Sequence, residues 1–483
     1  MAETLSKNYQ FKMALSKKFA FLKDRHSLFY YVLLLIGVGL AFFAYALCTQ
    51  RFTTPFSGDF AQQAYQAYYD FYDDWWTFFK TGQFPFYDSN TFLGADNVHA
   101  NTYYGLFSPF TIPLLFVPRD FIPHMMALIS IARLVVGALF FRIYLKYFGV
   151  SESTSRIFSF AYAFTGWMAY YLWFNPFYEV MTFFPLILFG IEKVIKEKKI
   201  LFVSLGFFLL GISNYFFLLT MGVFGVFYAG FRYFQTIKER NAKDNVLVFI
   251  YGFLGFLFGI GLSMFCVFPA VLSSFSINRA SDSKYLTVII DCLKDGDYAQ
   301  FFKIFFTCWS PNITNYGSAY EDYYFSFAFP LASYFYPPIS DRFTNIMHYR
   351  YFENTGSSIF IYTPCIILLG CSIYRSFKNK KVSHFIAIII LIACLFIPFF
   401  YFLCGAFVTA YGRWELVVPV CALTYIAINF DHRDEVPSAV VVISGATAFT
   451  FMVATYFFAT HIVTDYKYFD EIGDVIFVVI YEL

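Results

Sequence analysis

The segment Leu106–Pro118, LFSPFTIPLLFVP, decides how many times this chain crosses a bilayer. It is apolar enough to lie in a membrane. Yet a crossing helix needs roughly 20 apolar residues, and this piece is short and carries Pro109, Pro113 and Pro118. Each proline removes a backbone donor and disfavours a continuous helix. Non-helical backbone at membrane depth survives only where protein covers it. The segment therefore reads as re-entrant or interfacial rather than as a crossing.

Working outward, span-length apolar runs lie near 28–48, 122–145, 156–174, 177–194, 200–214, 216–234, 246–271, 357–375, 383–403, 406–429 and 437–460. The charges test this reading, because cytoplasmic loops carry an excess of Lys and Arg. The head holds Lys7, Lys12, Lys17, Lys18, Lys23 and Arg25, so it is expected in the cytoplasm. Strict alternation then gathers five further clusters on that side: Lys146 with Arg156, Lys193–Lys199, Arg232–Lys243, Arg375–Lys381, and His432 with Arg433. A crossing at Leu106–Pro118 would expel the Lys193–Lys199 cluster.

Composition agrees. The chain is 59% hydrophobic and 14% charged, against roughly a quarter charged in soluble domains, which excludes a soluble globular protein. A net charge of +2 gives no reason to expect a nucleic-acid partner. Most cysteines lie in apolar stretches, where thiols are inert. Cys292 and Cys308 lie in a polar loop and are able to pair if that loop is extracytoplasmic. The basic head is too long, and the first apolar run too span-like, for a cleavable signal peptide.

The expected organisation is a basic cytoplasmic head (1–27), an all-α polytopic membrane domain (28–460) of about eleven crossings with extracytoplasmic loops 49–121 and 273–356, and an extracytoplasmic tail (461–483). No internal repeat at a fixed period appears, so an inverted-repeat transporter is not supported.

The first long loop begins TTPFSGDFAQQAYQAYYDFYDDWW and continues GQFPFYDSNTFLGADNVHANTYYGLFSPF. Its helix-like, aromatic and acidic part suits the membrane interface, with rings among the headgroups and carboxylates in water. Further along the chain stand FNPFYEVMTFFPLILFGIEKVIKEKK, GISNYFFLLTMGVFGVFY and YGRWELVVPV. A first span, then SGDFAQQ, GQFPFYDSNTFLGAD, YYGLFSPF and these later stretches in this order resemble the YfhO family of bacterial membrane proteins, in the GT-C superfamily of glycosyltransferases. The resemblance is spread from about Leu28 to Phe430.

That resemblance implies a multi-pass plasma-membrane enzyme with a GT-C-like fold and an extracytoplasmic site. It would move a sugar from a polyprenyl-phosphate donor to an envelope acceptor such as lipoteichoic acid. It also implies a catalytic acidic residue in the first loop, near the end of the first span, which here is Asp59. Family members are often longer, which leaves the acceptor open.

The residues themselves support parts of this and leave alternatives standing. Such a transfer needs a base for the acceptor hydroxyl, cations or dipoles for the departing phosphate, and no nucleotide-binding loop. Asp59 reads as that base or as a helix N-cap. Asp96, His99, Asn101 and Tyr103 are packed into a short polar stretch and are candidates for substrate contact, with an Asx-turn as the plain reading of Asp96. Arg413, near a span end, is a phosphate ligand or the partner of Glu415 or Glu179. Glu179 is a carboxylate near the membrane that pairs with Arg413 or meets sugar hydroxyls. Arg350, in HYRYFENTG, is a candidate for a substrate wall. No ligand spacing demands a cofactor, and the Asp-rich loop leaves a divalent metal open. A transporter or flippase of lipid-linked saccharide, or a non-catalytic partner in envelope-polymer assembly, are the alternatives. A transporter is expected to carry charged or broken helices at mid-membrane, whereas these spans read as mostly apolar.

Overall fold

Apolar runs in a membrane satisfy their backbone groups by coiling, and the computed structural model, which describes residues 27–43, 63–89, 94–236, 241–276, 284–307, 359–405 and 412–462, is helical almost throughout. Four of its helices are long and apolar enough to cross a bilayer: Arg119–Tyr147, Phe216–Thr236, Ala242–Leu272 and Arg413–Phe430. Four shorter apolar helices accompany them: Ser27–Phe43 (α1), Leu201–Ser213, Ser383–Leu395 and Ser438–Ala454.

Length and apolarity alone thus pick out fewer crossings among the described residues than the hydropathy reading, and the reasons are local. The 156–174 run splits into Glu152–Ala163 (α5), Gly166–Tyr170 (α6) and a 3-10 segment Tyr171–Phe177, with Phe174 out of helical geometry at φ −139°. The next run forms Tyr178–Glu197 (α7), which is long but carries Glu179, Glu192, Lys193, Lys196 and Glu197. The 383–403 run breaks at Ile397, just before Pro398, into Val382–Phe396 and Pro398–Cys404.

The centre of the fold is a parallel pair, Ile122–Tyr147 (α4) and α7. A Cβ on Gly137 would lie 3.2 Å from the Met181 carbonyl oxygen, so the two backbones nearly touch. At the other end Tyr147 donates to Glu197 at 2.9 Å. Leu201–Ser213 (α8) runs antiparallel to α7, locked by small residues: a Cβ on Gly190 would come within 2.2 Å of the Val203 nitrogen, and one on Gly206 within 2.6 Å of Ile187. Phe216–Thr236 (α9) returns beside them. Ala242–Ser276 (α10) lies parallel to α8, with Gly255 against Val203 and Gly211 against Ser263. Small residues at such contacts let helices approach closely where lipid offers no hydrophobic drive.

These helices end at different heights. By rise per residue, α8 is about 20 Å long and α10 about 52 Å. The α10 helix therefore overshoots α8 and leaves a step, and the first loop fills it. Within that loop stand Tyr65–Thr81 (α2), a two-residue antiparallel ladder pairing Tyr87 with Asp96, and Asn97–Thr102 (α3), which packs on α10. Residues 106–118 follow as turns with a short 3-10 stretch, Ile112–Phe116, not a crossing helix. Thr111 and Leu114 are buried, while Phe116 is 84% exposed.

A second group closes the fold: Lys284–Lys294 (α11), Tyr298–Thr307 (α12), Thr363–Lys378 (α13), Val382–Phe396 (α14), Pro398–Cys404 (α15), Val417–Phe430 (α16) and Ser438–Ile462 (α17). It is tied to the first group by Gly166 N–H to the Phe360 carbonyl at 3.0 Å, and by Asp431, which accepts from the Ser151 backbone at 2.6 Å and its hydroxyl at 2.8 Å.

Candidate functional site

The first-loop residues are built on a chain of local constraints. The α2 helix buries Ala67, Tyr68 and Phe71, leaves Asp70 and Asp74 half-buried and exposes Asp73; Gly82, at φ 72°, ends it in the left-handed conformation a glycine adopts without strain. Gly94, at φ 104°, makes the ladder's return: any side chain there would collide with the Tyr87 ring. The Asp96 carboxylate accepts from His99 N–H at 2.9 Å and so caps α3. Its side chain is thus used locally, close to the plain reading of that residue. Asn101 is buried and donates to Asn97, which donates in turn to Asp74 at 2.6 Å and to the Pro85 carbonyl at 2.9 Å. Burial pushes the Asp74 carboxyl up to about 7, with Asp70, Asp88 and Asp73 reinforcing the rise and the Asn97 bond opposing it. This loop therefore holds a carboxyl able to exchange a proton near neutrality.

Tyr103 and Arg413 are brought together. Arg413, half-buried in the short helical turn before α16, reaches the Tyr103 hydroxyl at 3.4 Å. Its guanidinium lies 4.8 Å from the Phe177 ring and 4.9 Å from the Phe216 ring. The Tyr103 ring in turn packs edge-on against Phe177, Tyr215 and Phe216. The result is an aromatic collar around a weakly hydrated planar cation, a kind of group suited to oxyanions. Beside it Trp414 is fully buried, stacked on Phe224 at 5.4 Å, and Glu415 accepts from Tyr401 at 3.0 Å.

Glu179 is paired with Arg133, not with Arg413, which the sequence left as one alternative. Arg133 of α4 approaches its carboxylate to 2.7 Å through one terminal nitrogen and 2.9 Å through Nε, and both side chains are 0% exposed. Ser108 donates to the same carboxylate oxygen at 2.5 Å. Asn175 accepts from Tyr68 at 3.1 Å and donates to Ser130 at 3.0 Å. One buried polar cluster thus joins α2, the 106–118 segment, α4, the 3-10 turn and α7. Glu179 sits in the first turn of α7, where the helix dipole favours an anion. Arg133 is about 16 Å along α4 from its start. The spans are therefore not uniformly apolar inside. Sequence reading passed over Arg133, although an arginine deep within a long apolar run, needing a partner, was the signal available. Asp74 was missed as well; nothing in its acidic surroundings singled it out.

Asp59, Arg350 and Cys308, with the Cys292–Cys308 pairing, lie outside the described residues. Among the described residues, no group of three or more His, Cys, Asp or Glu side chains is arranged to hold a metal.

The family model for "Bacterial membrane protein YfhO" matches residues 31–469. No curated protein matches the chain. No solved structure matches it.

Proposed function

We propose that this chain, which belongs to the YfhO family of bacterial membrane proteins, is a GT-C-like glycosyltransferase that moves a sugar from a polyprenyl-phosphate donor to an envelope polymer such as lipoteichoic acid. The observation that carries this reading is the aromatic collar around Arg413. The guanidinium lies against the rings of Phe177 and Phe216, at the end of the bundle that carries the first loop. Such a cation suits a phosphate that has departed from a sugar while its prenyl tail stays in lipid.

In this reading about eleven crossings form the scaffold, the 106–118 segment is re-entrant, and the N-terminus is cytoplasmic. The loop-bearing end is then extracytoplasmic. Asp59 takes the proton from the acceptor hydroxyl, and Arg413 holds the donor phosphate. Asp96, His99, Asn101, Glu179 and Arg350 contribute through the walls of the site. Asp96 does so as the cap that orients α3, and Glu179 through its own buried cluster.

The test is donor binding by the full chain in lipid nanodiscs. Arg413→Ala is expected to weaken bare polyprenyl phosphate by roughly tenfold or more, as loss of a charge-assisted contact does, with Arg413→Lys in between. Wild-type affinity in Arg413→Ala would sink the phosphate assignment.

A second reading has two observations in its favour. The buried Arg133–Glu179 pair and the broken α5–α6 region are what a transporter of lipid-linked saccharide places at mid-depth. Movement of fluorescent lipid-linked sugar across proteoliposomes, without any acceptor, distinguishes it.

A further inference from the structure

Near the collar in sequence, four polar atoms are fully enclosed and have no hydrogen-bond partner among the described residues: Glu179 Oε2, Ser213 Oγ, and both ends of the Asn214 carboxamide. All three residues are 0% exposed. A buried polar group that loses water must find a substitute, so unpartnered atoms are few in a native interior.

The helix register brings them to one level. The antiparallel α7 and α8 helices meet at Ile187 with Gly206 and at Gly190 with Val203. Continuing that register about two turns toward the loop-bearing end sets Glu179 beside Asn214. The first loop closes this level from the side. Gly105, at φ 91°, brings its backbone close to the Ser213 carbonyl, and Ser108 binds the other Glu179 oxygen.

The atoms also fit one kind of guest. They comprise a carboxylate acceptor, an amide acceptor with two N–H donors, and a hydroxyl that does both. Adjacent hydroxyl groups, each donor and acceptor, match such a set. A bare ion does not, because the Glu179 charge is already matched by Arg133.

The same three pieces of chain build both the collar and this layer. Tyr103 leads to Ser108, Phe177 to Glu179, and Phe216 lies just after Asn214. Phe177 stands two residues before Glu179 and Phe216 two residues after Asn214, so the collar and the layer are neighbours along both segments. We infer that Ser213, Asn214 and Glu179 form a hydroxyl-recognition site that reads the sugar of the lipid-linked donor. This rests on the glycosyltransferase reading above. Internal water is the other source of the same hydroxyl chemistry.

Full-length protein in nanodiscs, titrated with bare polyprenyl phosphate and with synthetic polyprenyl-phosphate glucose, galactose, mannose and N-acetylglucosamine, separates these cases. Wild type is expected to bind one sugar form more tightly than the bare phosphate. Asn214→Ala and the near-isosteric Asn214→Leu should lose roughly tenfold or more on that form and flatten the preference among sugars, while bare-phosphate affinity is unchanged. Ser213→Ala provides a milder variant should Asn214 changes unfold the protein, with melting temperature as the check. If folded Asn214 and Ser213 variants keep wild-type affinity and preference, the layer holds water and the inference is overturned, with the glycosyltransferase reading intact. If wild type binds the bare phosphate and no sugar form better, the inference is likewise overturned. If wild type binds none of these lipids, the parent reading falls and takes the inference with it.

Discussion

Removing the Glu179 carboxylate leaves Arg133 as an uncompensated charge in a closed interior. In Glu179→Ala, the guanidinium loses its contacts at 2.7 and 2.9 Å. What remains are long approaches to the Tyr68 hydroxyl at 3.4 and 3.5 Å and to the Asn175 carbonyl at 3.4 Å. None of these carries a negative charge, and both members of the pair are 0% exposed. Breaking a buried pair from one side costs about 3–5 kcal/mol, whereas replacing both members with apolar groups of similar volume is close to neutral. Glu179→Ala and Arg133→Ala should therefore each destabilise by about that amount, and Arg133→Met with Glu179→Leu should recover most of it. The assay is reversible unfolding in mild detergent, or thermal melting in nanodiscs, run as a double-mutant cycle. A Glu179→Ala cost below about 1 kcal/mol, or a double variant no better than the singles, would refute the reasoning.

Two further outcomes follow from local geometry. Gly190→Ala drives a methyl group into the Val203 backbone of α8, so it should destabilise by about 1–3 kcal/mol, read as a lower melting temperature; an unchanged value contradicts the close helix contact. The Asp74 carboxyl is raised from 3.8 to about 7, so the folded state binds its proton more tightly than the unfolded chain. Stability from this group falls as pH rises between those values and stays low above them. With its partial exposure discounted, the effect is about 1–2 kcal/mol. Asp74→Asn should raise the melting temperature at pH 8 and leave it unchanged at pH 4; equal shifts at both pH values would contradict the assignment.

Much of the helical content was legible because apolar runs at span length leave the backbone no other choice. The 106–118 segment was legible for the same reason in reverse: its three prolines and short length already argue against a crossing helix, and Ile112–Phe116 forms only a 3-10 turn. The breaks were not legible. Hydropathy averages over Thr165 and Phe174, so the end of α5 and the low start of α7 do not register in a sliding window. Side-chain pairing was the least visible, since it depends on helix register. Glu179 faces Arg133 because α4 and α7 run parallel, and sequence alone offered Arg413 as readily. Tyr103 and Arg413, far apart in sequence, were each singled out by type and position, and their meeting in one collar emerged only from the packing.

The central claim is sugar transfer from lipid phosphate, and transfer itself is its most direct measurement. Full-length protein in nanodiscs is supplied with synthetic polyprenyl-phosphate monosaccharides and isolated envelope polymers, lipoteichoic acid among them, and the polymers are weighed by mass spectrometry. Wild type is predicted to add a sugar mass to one polymer with one donor, and Asp59→Asn, folded by its melting temperature, to lose that gain. A folded wild type that adds no mass with any donor and polymer, or an Asp59→Asn variant that transfers at the wild-type rate, would contradict the account.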